Sequence, residues 1–307
     1  MDTRQLEYFL AVVDHGGFGR AAEALHLAQP SLSQAIAGLE RELGVPLFHR
    51  VGRGVVISDA GTELVGPARQ VLRDLRTARS AVDSVCGLLR GRVELATMPS
   101  PGVEPLGTLT RSFSREHPGV TVGAEAAFTP DEVVAQIRNG VCELGLIGAP
   151  EVPRPPGVQV HELESQEFFL VGAGDVEFPE GDPVSPSALA GARMIVSPPG
   201  SLMRRIVDDV LAAGVDLRIA AEVAHRTSVL PLVLQGVGLA VLPAGWVPLA
   251  RRAGARIARI EHSAQLHIAL VSRTAALTPT ASAFLAVARG HRPADYLAQI
   301  ASDSRCL

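Results

Sequence analysis

The sequence predicts an α/β protein in which a winged helix-turn-helix head is joined by a long linker helix to a two-lobed α/β body. Three observations predict it. The first 60 residues combine helical apolar spacing with one pair of short β runs. Residues 61–90 hold one unbroken apolar stripe. From residue 91 to 307, short β runs alternate with helical patterns. With 47% hydrophobic and 20% charged residues, the chain has material for a sizeable core.

Helix one is expected over 3–14, with Leu6, Phe9, Leu10 and Val13 on one face and Asp2 or Thr3 as its cap. His15, Gly16 and Gly17 break it. A second helix over 18–25 is built on Ala21, Ala22 and Leu25, and a tight turn at His26 and Leu27 leads to a third. That third helix lies in "AQPSLSQAIAGLERELG" at 28–44, buries Leu32, Ile36, Leu39 and Leu43, and stops at Gly44. Its other side opens with Gln29, Pro30, Ser31, Ser33 and Gln34 and carries no charge before Glu40 and Arg41. Then Pro46–Phe48 and Val55–Ile57 form two apolar runs around a Gly52-Arg53-Gly54 tip, a two-stranded wing.

Residues 61–90 read as one helix. Leu64, Ala68, Val71, Leu75, Ala78, Val82, Val85 and Leu89 form an a/d seam, with Arg69, Arg73, Asp74, Arg76 and Arg79 outside it. So narrow a stripe suits a homodimer through this helix; packing on the chain's own domain is the alternative. Gly87 and Gly91 mark the end.

Strand patterns follow at "RVELAT", "VTVGAEA", "ELGLIG", "EFFLVGA", "RMIVS", "GLAVLP" and "LHIALV", with helical stretches at 130–139, 201–213 and 227–236. This predicts largely parallel sheets in two lobes. The Pro-rich "GAPEVPRPPGV" at 148–158 is the expected crossing between them. The domains so drawn are 1–60, 61–90 and 91–307, the last divided into about 91–161 plus 267–307, and 162–266.

In a winged helix-turn-helix the start of the second motif helix enters the DNA major groove. Short amides and hydroxyls suit base edges. Gln34 can pair bidentately with adenine, and Ser31 and Ser33 can bond bases or phosphates. Pro30 suits a first helical turn, where its missing N–H costs little. Ser31, Gln34, Gly38 and Arg41 lie opposite the apolar stripe, and Arg50 and Arg53 flank the wing, within reach of phosphate or a narrow minor groove. The bland alternative is a helical packing domain with a solvated face. Residues 1–60 hold five Arg against seven Asp or Glu, so the segment lacks an overall basic footprint.

The stretches "QLEYFLAVVDHGGF", "AAEALHLAQPSLSQAIAGLERELGVPLFHR" and "ISDAG" resemble, nearly continuously, the LysR-type transcriptional regulators. The long helix and the two-lobed segment fit the same family. The resemblance implies DNA reading by Gln29, Pro30, Ser31, Ser33 and Gln34, wing contacts from Arg50 and Arg53, and a homodimer that assembles into a homotetramer. Gly17 and Ala28 stand where the family often has Ser or Thr, Gly38 where a polar or basic side chain is frequent, and Ser58 where Thr is common.

The resemblance also implies a periplasmic-binding-protein-like effector domain, with a small-molecule effector between the lobes. Three loops would reach that cleft: "TMPSPG" with Met98 and Ser100, "FTPDE" with Phe128 and Thr129, and "SPPGSLMRR" with Ser201, Leu202 and Met203. Exposed N–H groups and hydroxyls at helix starts suit a carboxylate, so an organic acid is the expected effector. His225 and Arg226 could supply positive charge. The plain alternatives are caps for Ser100, Thr129 and Ser201, core filler for Met98 and Met203, and a solvated helix face for Arg204 and Arg205.

An enzyme is not expected. The sequence has no HExxH, GxSxG or GxxxxGK[ST], and no metal or cofactor is expected. Cys86, Cys142 and Cys306 are far apart, and an odd number argues against a disulfide framework. Peroxide-sensing members of the family use a cysteine pair in the second lobe; residues 165–265 contain no Cys. All 28 basic residues besides His are Arg, a bias too uniform for local function, and the net charge of -4 favours no polyanion by itself. A transport-type solute-binding protein would suit the C-terminal half, but no export signal or membrane span is read, and the first 90 residues oppose it. The expectation is a cytoplasmic regulator whose partners are double-stranded DNA, an effector and its own copies, with RNA polymerase among those a regulator can meet.

Overall fold

The computed structural model describes residues 1–52, 54–85 and 89–292, without the side chains of residues 50, 76 and 79–85. α1 (Thr3–Asp14) starts at an Asp2 cap: the Asp2 carboxylate accepts the Gln5 N–H at 2.8 Å, and the Gln5 side chain accepts the Asp2 N–H at 2.9 Å. α2 (Phe18–Ala24) and α3 (Gln29–Leu43) follow, separated by a turn in which His26 takes φ 53. Leu6, Phe9, Leu10 and Val12 of α1 close on Ala21, Ala22, Leu32, Ile36 and Leu39. Two predicted core positions differ. Val12 rather than Val13 is fully buried, and Leu43 is 38% exposed because the helix ends at Gly44 before reaching the core.

β1 (Phe48–Val51) and β2 (Gly54–Ile57) form the antiparallel wing, with Phe48 opposite Ile57. The first wing strand starts two residues later than its apolar run, since Leu47 is drawn into the core at 1% exposure. Phe48 stacks near Phe9 and Phe18, at ring distances of 5.5 and 5.6 Å.

α4 (Asp59–Val85) is capped by Ser58, whose hydroxyl accepts the Gly61 N–H at 3.0 Å and donates to Pro46 O at 2.7 Å. Its seam is divided. Leu64 and Ala68, with Val65 and Leu72, pack on the head's own core. Val71 and Leu75 stay 40% and 39% exposed. The seam does not continue to Leu89, which lies beyond the helix and packs on the first lobe. The Val82 and Val85 side chains lie outside the described residues.

The first lobe holds β3 (Gly91–Thr97), α5 (Pro99–Val103), α6 (Leu106–Glu116), β4 (Val120–Ala126), α7 (Pro130–Arg138), β5 (Leu144–Ala149) and β6 (Val158–Gln166). The second holds β7 (Phe168–Gly172), β8 (Arg193–Val196), α8 (Leu202–Ala212), β9 (Arg218–Glu222), α9 (Val229–Leu234), β10 (Ala240–Pro243), α10 (Val247–Arg252) and β11 (Arg256–Arg259). The chain then returns to the first lobe by β12 (Leu266–Arg273) and α11 (Pro279–Arg289).

The sheets are mixed rather than largely parallel. The first lobe's order is β4-β3-β5-β12-β6, with β3 parallel to β4 and β5, and β12 antiparallel to β5 and β6. The reason is the two crossings: β6 leaves and β12 returns side by side, so they must run in opposite directions. In the second lobe β10-β7-β11 is antiparallel and β8-β9 parallel. The crossing also differs from the expected one. The Pro-rich 148–158 stretch links β5 to the edge strand β6 inside the first lobe, and the chain passes over after Gln166. Prolines lack the N–H that a strand ladder needs, so they mark a loop rather than the crossing strand.

Candidate functional site

Two regions bring the singled-out residues together. The first is the start of α3. Gln29, Pro30, Ser31 and Gln34 are exposed and Ser33 is half-buried. Pro30 lies in the first turn, which contains no acidic residue. Neither Gly17, before α2, nor Ala28, before α3, makes a side-chain cap. The start of α3 is the positive end of its dipole, ringed by short polar side chains; Pro30 has no N–H there, and the Ser31 N–H is taken by Ala28 O at 3.0 Å.

Arginines near this face divide by role. Arg20 donates to the carbonyls of His15 and Gly16, at 2.5 and 2.6 Å, and so closes the end of α1. Arg41 donates to Ala37 O at 3.2 Å on its own helix. Arg50 is paired with Val55 through the wing backbone; its side chain, and Arg53 entirely, lie outside the described residues.

The second region is a cavity of about 140 Å³ between the lobes. Met98, Ser100, Phe128, Thr129, Ser201, Leu202, Met203 and Arg226 all line it. Thr129 caps α7 by accepting the Glu132 N–H at 3.2 Å, while the Glu132 carboxylate accepts the Phe128 N–H at 2.8 Å. Ser201 caps α8 by accepting the Arg204 N–H at 3.1 Å. Capping and lining are therefore compatible, since the cap side chain sits at the rim its helix points into. Ser100 is inside α5 at 3% exposure and is no cap; Met98 takes that position. Met98 and Met203, at 4% and 8% exposure, are at once core and wall. Phe128 is 49% exposed and meets His225 edge-to-face, ring to ring at 6.5 Å, across the lobes.

The charge of the cavity is one-sided. Its lining contains Arg205 and Arg226 and no Asp or Glu. Burial lowers the Arg226 pKa from its ordinary value, and among the described residues no carboxylate or carbonyl partners it. Arg204 and Arg205, expected on one solvated helix face, differ. Arg204 holds Asp208 at 2.7 Å and Glu222 at 2.6 Å, whereas Arg205 borders the cavity. On α8 successive residues point about 100° apart, so adjacent arginines serve different surfaces.

Phe168, Gly148 and Leu266 complete the wall. The sequence offered little signal for them, because they are ends of strands that meet only once the lobes close. A Cβ at Gly148 would sit 3.2 Å from both Leu266 and Pro101. Cys142 is 2% exposed, and burial pushes its thiol up to about 12. Among the described residues no cluster of His, Cys, Asp or Glu could hold a metal ion, and no helix is long and apolar enough to cross a membrane.

Two family models match the chain: "LysR substrate binding domain" over residues 87–293 and "Bacterial regulatory helix-turn-helix protein, lysR family" over residues 3–62. The HTH-type transcriptional regulator IlvR of Caulobacter vibrioides is 31% identical, over 93% of this chain and 96% of that protein. The HTH-type transcriptional regulator TfdS of Cupriavidus pinatubonensis is 28% identical, over 94% and 98%. Among solved structures, the LysR family transcriptional regulator CbnR is 25% identical, with a TM-score of 0.69 over 94% of this chain and 99% of that one. Full-length CbnR complexed with its target DNA gives a TM-score of 0.67 over the same shares.

Proposed function

The chain belongs to the LysR family of DNA-binding transcriptional regulators, and we propose that it reads DNA with the start of α3 in response to a small organic anion held between its lobes. The family is one of regulators, not enzymes. It joins the helix-turn-helix head to an effector-binding domain.

The observation that carries the anion is Arg226: a desolvated guanidinium without an acidic partner, in a cavity whose lining has no carboxylate. A half-buried charge without a partner has lost part of its hydration, and a ligand that brings the opposite charge relieves that cost. The N-termini of α7 and α8 add N–H groups at the rim. The volume limits the ligand to roughly the size of a benzene ring with a small polar group, by comparison with apolar cavities near 150 Å³ that hold benzene.

For the head, the outward polar start of α3 suits the major groove, with Gln29, Pro30, Ser31, Ser33 and Gln34 toward bases and phosphates. CbnR, solved with its target DNA, supports DNA binding by this chain. Exposed Val71 and Leu75 on α4 suit a second copy of the chain, so the DNA-reading unit is a dimer, and pairing of dimers gives a tetramer. The work is done in the cytoplasm, where the DNA is; contact with RNA polymerase would follow from the regulator's place on DNA.

The test has two arms. Calorimetry of the full chain against benzoate, succinate and 2-oxoglutarate, each beside its neutral amide, should give heat with at least one acid and none with its amide. Heat from amides alone would overturn the anion reading. Nuclease footprinting on DNA upstream of the chain's own gene should show a protected near-palindrome that Gln34→Ala loses; equal protection by Gln34→Ala would remove the α3 assignment.

A further inference from the structure

Two stiff elements that line the cavity end on one polar junction of the linker helix. α7 offers Phe128 and Thr129 to the cavity at its N-terminal end. At its other end, Gly140 gives its carbonyl to the Arg73 guanidinium of α4. β12 starts at Leu266, on the cavity wall, and ends at Arg273, whose Nη1 donates to Gln70 Oε1 of α4 at 2.9 Å. Arg73 Nη2 donates to the same Gln70 oxygen at 2.7 Å.

The junction is largely buried. Arg73, Arg273 and Glu143 are 7%, 8% and 8% exposed. Glu143 holds Arg273 at 2.6 Å. Gly140 takes φ +68, and a Cβ there would run into the Arg73 guanidinium, so the close approach needs glycine. α7 has nine residues, a rod about 14 Å long at 1.5 Å per residue. A rod that moves at one end moves at the other.

We infer that Arg73, seated on Gln70, is the positioning residue through which the linker helix reads the occupancy of the cavity. The inference rests on the anion reading given above. A ligand drawn to Arg226 pulls on Phe128 and Thr129 and tilts α7. β12 is held between β5 and β6 in the sheet and moves less. Gly140 O and Arg273 therefore shift relative to each other. Arg73 is bonded to the first directly and to the second through Gln70, so the shift is felt as a rotation of α4. The head follows, because Leu64 and Ala68 of α4 are part of its core and Arg69 pairs with Asp14 of α1.

The full chain is prepared as Leu202→Cys with Cys86→Ser and Cys306→Ser, and labelled with 2-carboxyethyl methanethiosulfonate. This fixes a carboxylate in the cavity whatever the natural effector is; mass spectrometry confirms one label. Hydrogen exchange is followed at 226–230 beside the cavity and at 66–76 in α4. With Arg73 present, the label should slow exchange at least three-fold in both segments. Arg73→Met and Gln70→Ala should keep the change at 226–230 and lose it in α4. Gln70→Ala removes no charge, leaves Arg73 on Gly140 O and Arg273 on Glu143, and keeps the test valid where Arg73→Met folds poorly. An α4 response equal in parent and variants, or none in the parent, overturns the inference and leaves the cavity reading standing. A carboxylate label that changes 226–230 no more than an ethyl label would remove the cavity reading, and this inference with it.

Discussion

Gln166 and Gly245 join the two lobes: the Gln166 side-chain oxygen accepts the Gly245 N–H at 3.0 Å. Gln166 ends β6, the strand that leaves the first lobe, and is 1% exposed. Its amide nitrogen donates to Glu164 at 2.5 Å and to Glu104 O at 3.4 Å. One side chain thus satisfies groups from both lobes where the chain crosses. Glu164 is in turn bonded to His291 at 2.8 Å, so the hinge is a largely buried polar cluster.

Gln166→Ala should therefore destabilise the effector domain by about 1–3 kcal/mol, since Gly245 N–H is left without its acceptor in a dry place. The same variant should loosen the relative setting of the lobes. Urea unfolding would read the first effect, and the radius of gyration in solution the second. An unchanged unfolding midpoint would show that water reaches Gly245 and that the hinge is not dry.

Arg226→Met should weaken binding of an anionic ligand by about 1.5–3 kcal/mol, the range for a hydrogen bond to a charged group. It should at the same time leave the thermal midpoint of the free protein unchanged or higher. Burial lowers the Arg226 pKa with no partner to offset it, so the free protein gains by losing the charge. Differential scanning of the free chain and calorimetry with benzoate would separate the two. A lower midpoint together with unchanged affinity would show that Arg226 is structural.

Much of the head was legible because helix periods, caps and wing turn are local signals. Leu6, Phe9, Leu32 and Ile36 announce their faces by spacing alone. The cavity loops were reached through the family resemblance rather than through spacing; Thr129 and Ser201 are helix starts whose caps sit on the cavity lining. Arg205 was not, because it adjoins Arg204 in sequence and only the turn of α8 separates their surfaces. The strand β6 was hidden as well. Its HELESQ residues look like a solvated loop until Glu164 and Gln166 find buried partners. Nor could spacing tell that Arg73, one of several arginines outside the seam, is buried against Gly140. That depends on a contact 67 residues away in sequence.

Cys142 sets a pH dependence. Its thiol is raised from 9.0 to about 12 by burial. Between these values the unfolded chain loses the proton while the folded chain keeps it. Stability from this group is full below pH 9 and is lost as pH rises through about 12, up to about 4 kcal/mol at 1.36 kcal/mol per unit. Cys142→Ala should flatten that part of the alkaline unfolding profile. At pH 8 the native chain should leave Cys142 unreacted with iodoacetamide and with hydrogen peroxide. Rapid modification of Cys142 at that pH would show that the site opens.

Gly61→Ala tests how the head is joined to α4. A Cβ at Gly61 would collide with the Leu47 carbonyl and the Ile57 side chain. Leu47 O also accepts the Ser58 N–H at 2.9 Å, and Ser58 caps α4 while holding Pro46. The first turn of α4 and the base of the wing are thus pressed together by design of one small residue. The added methyl forces them apart and should cost about 1–3 kcal/mol, as overpacking of a close core contact does. The loss should fall on the head: a lower unfolding midpoint for a fragment of residues 1–85, if it folds alone, or for the head transition of the full chain, with the effector-domain transition unmoved. A single transition that shifts as a whole would mean that head and effector domain unfold together, and the α4 junction at Arg73 would be the contact that makes them one unit.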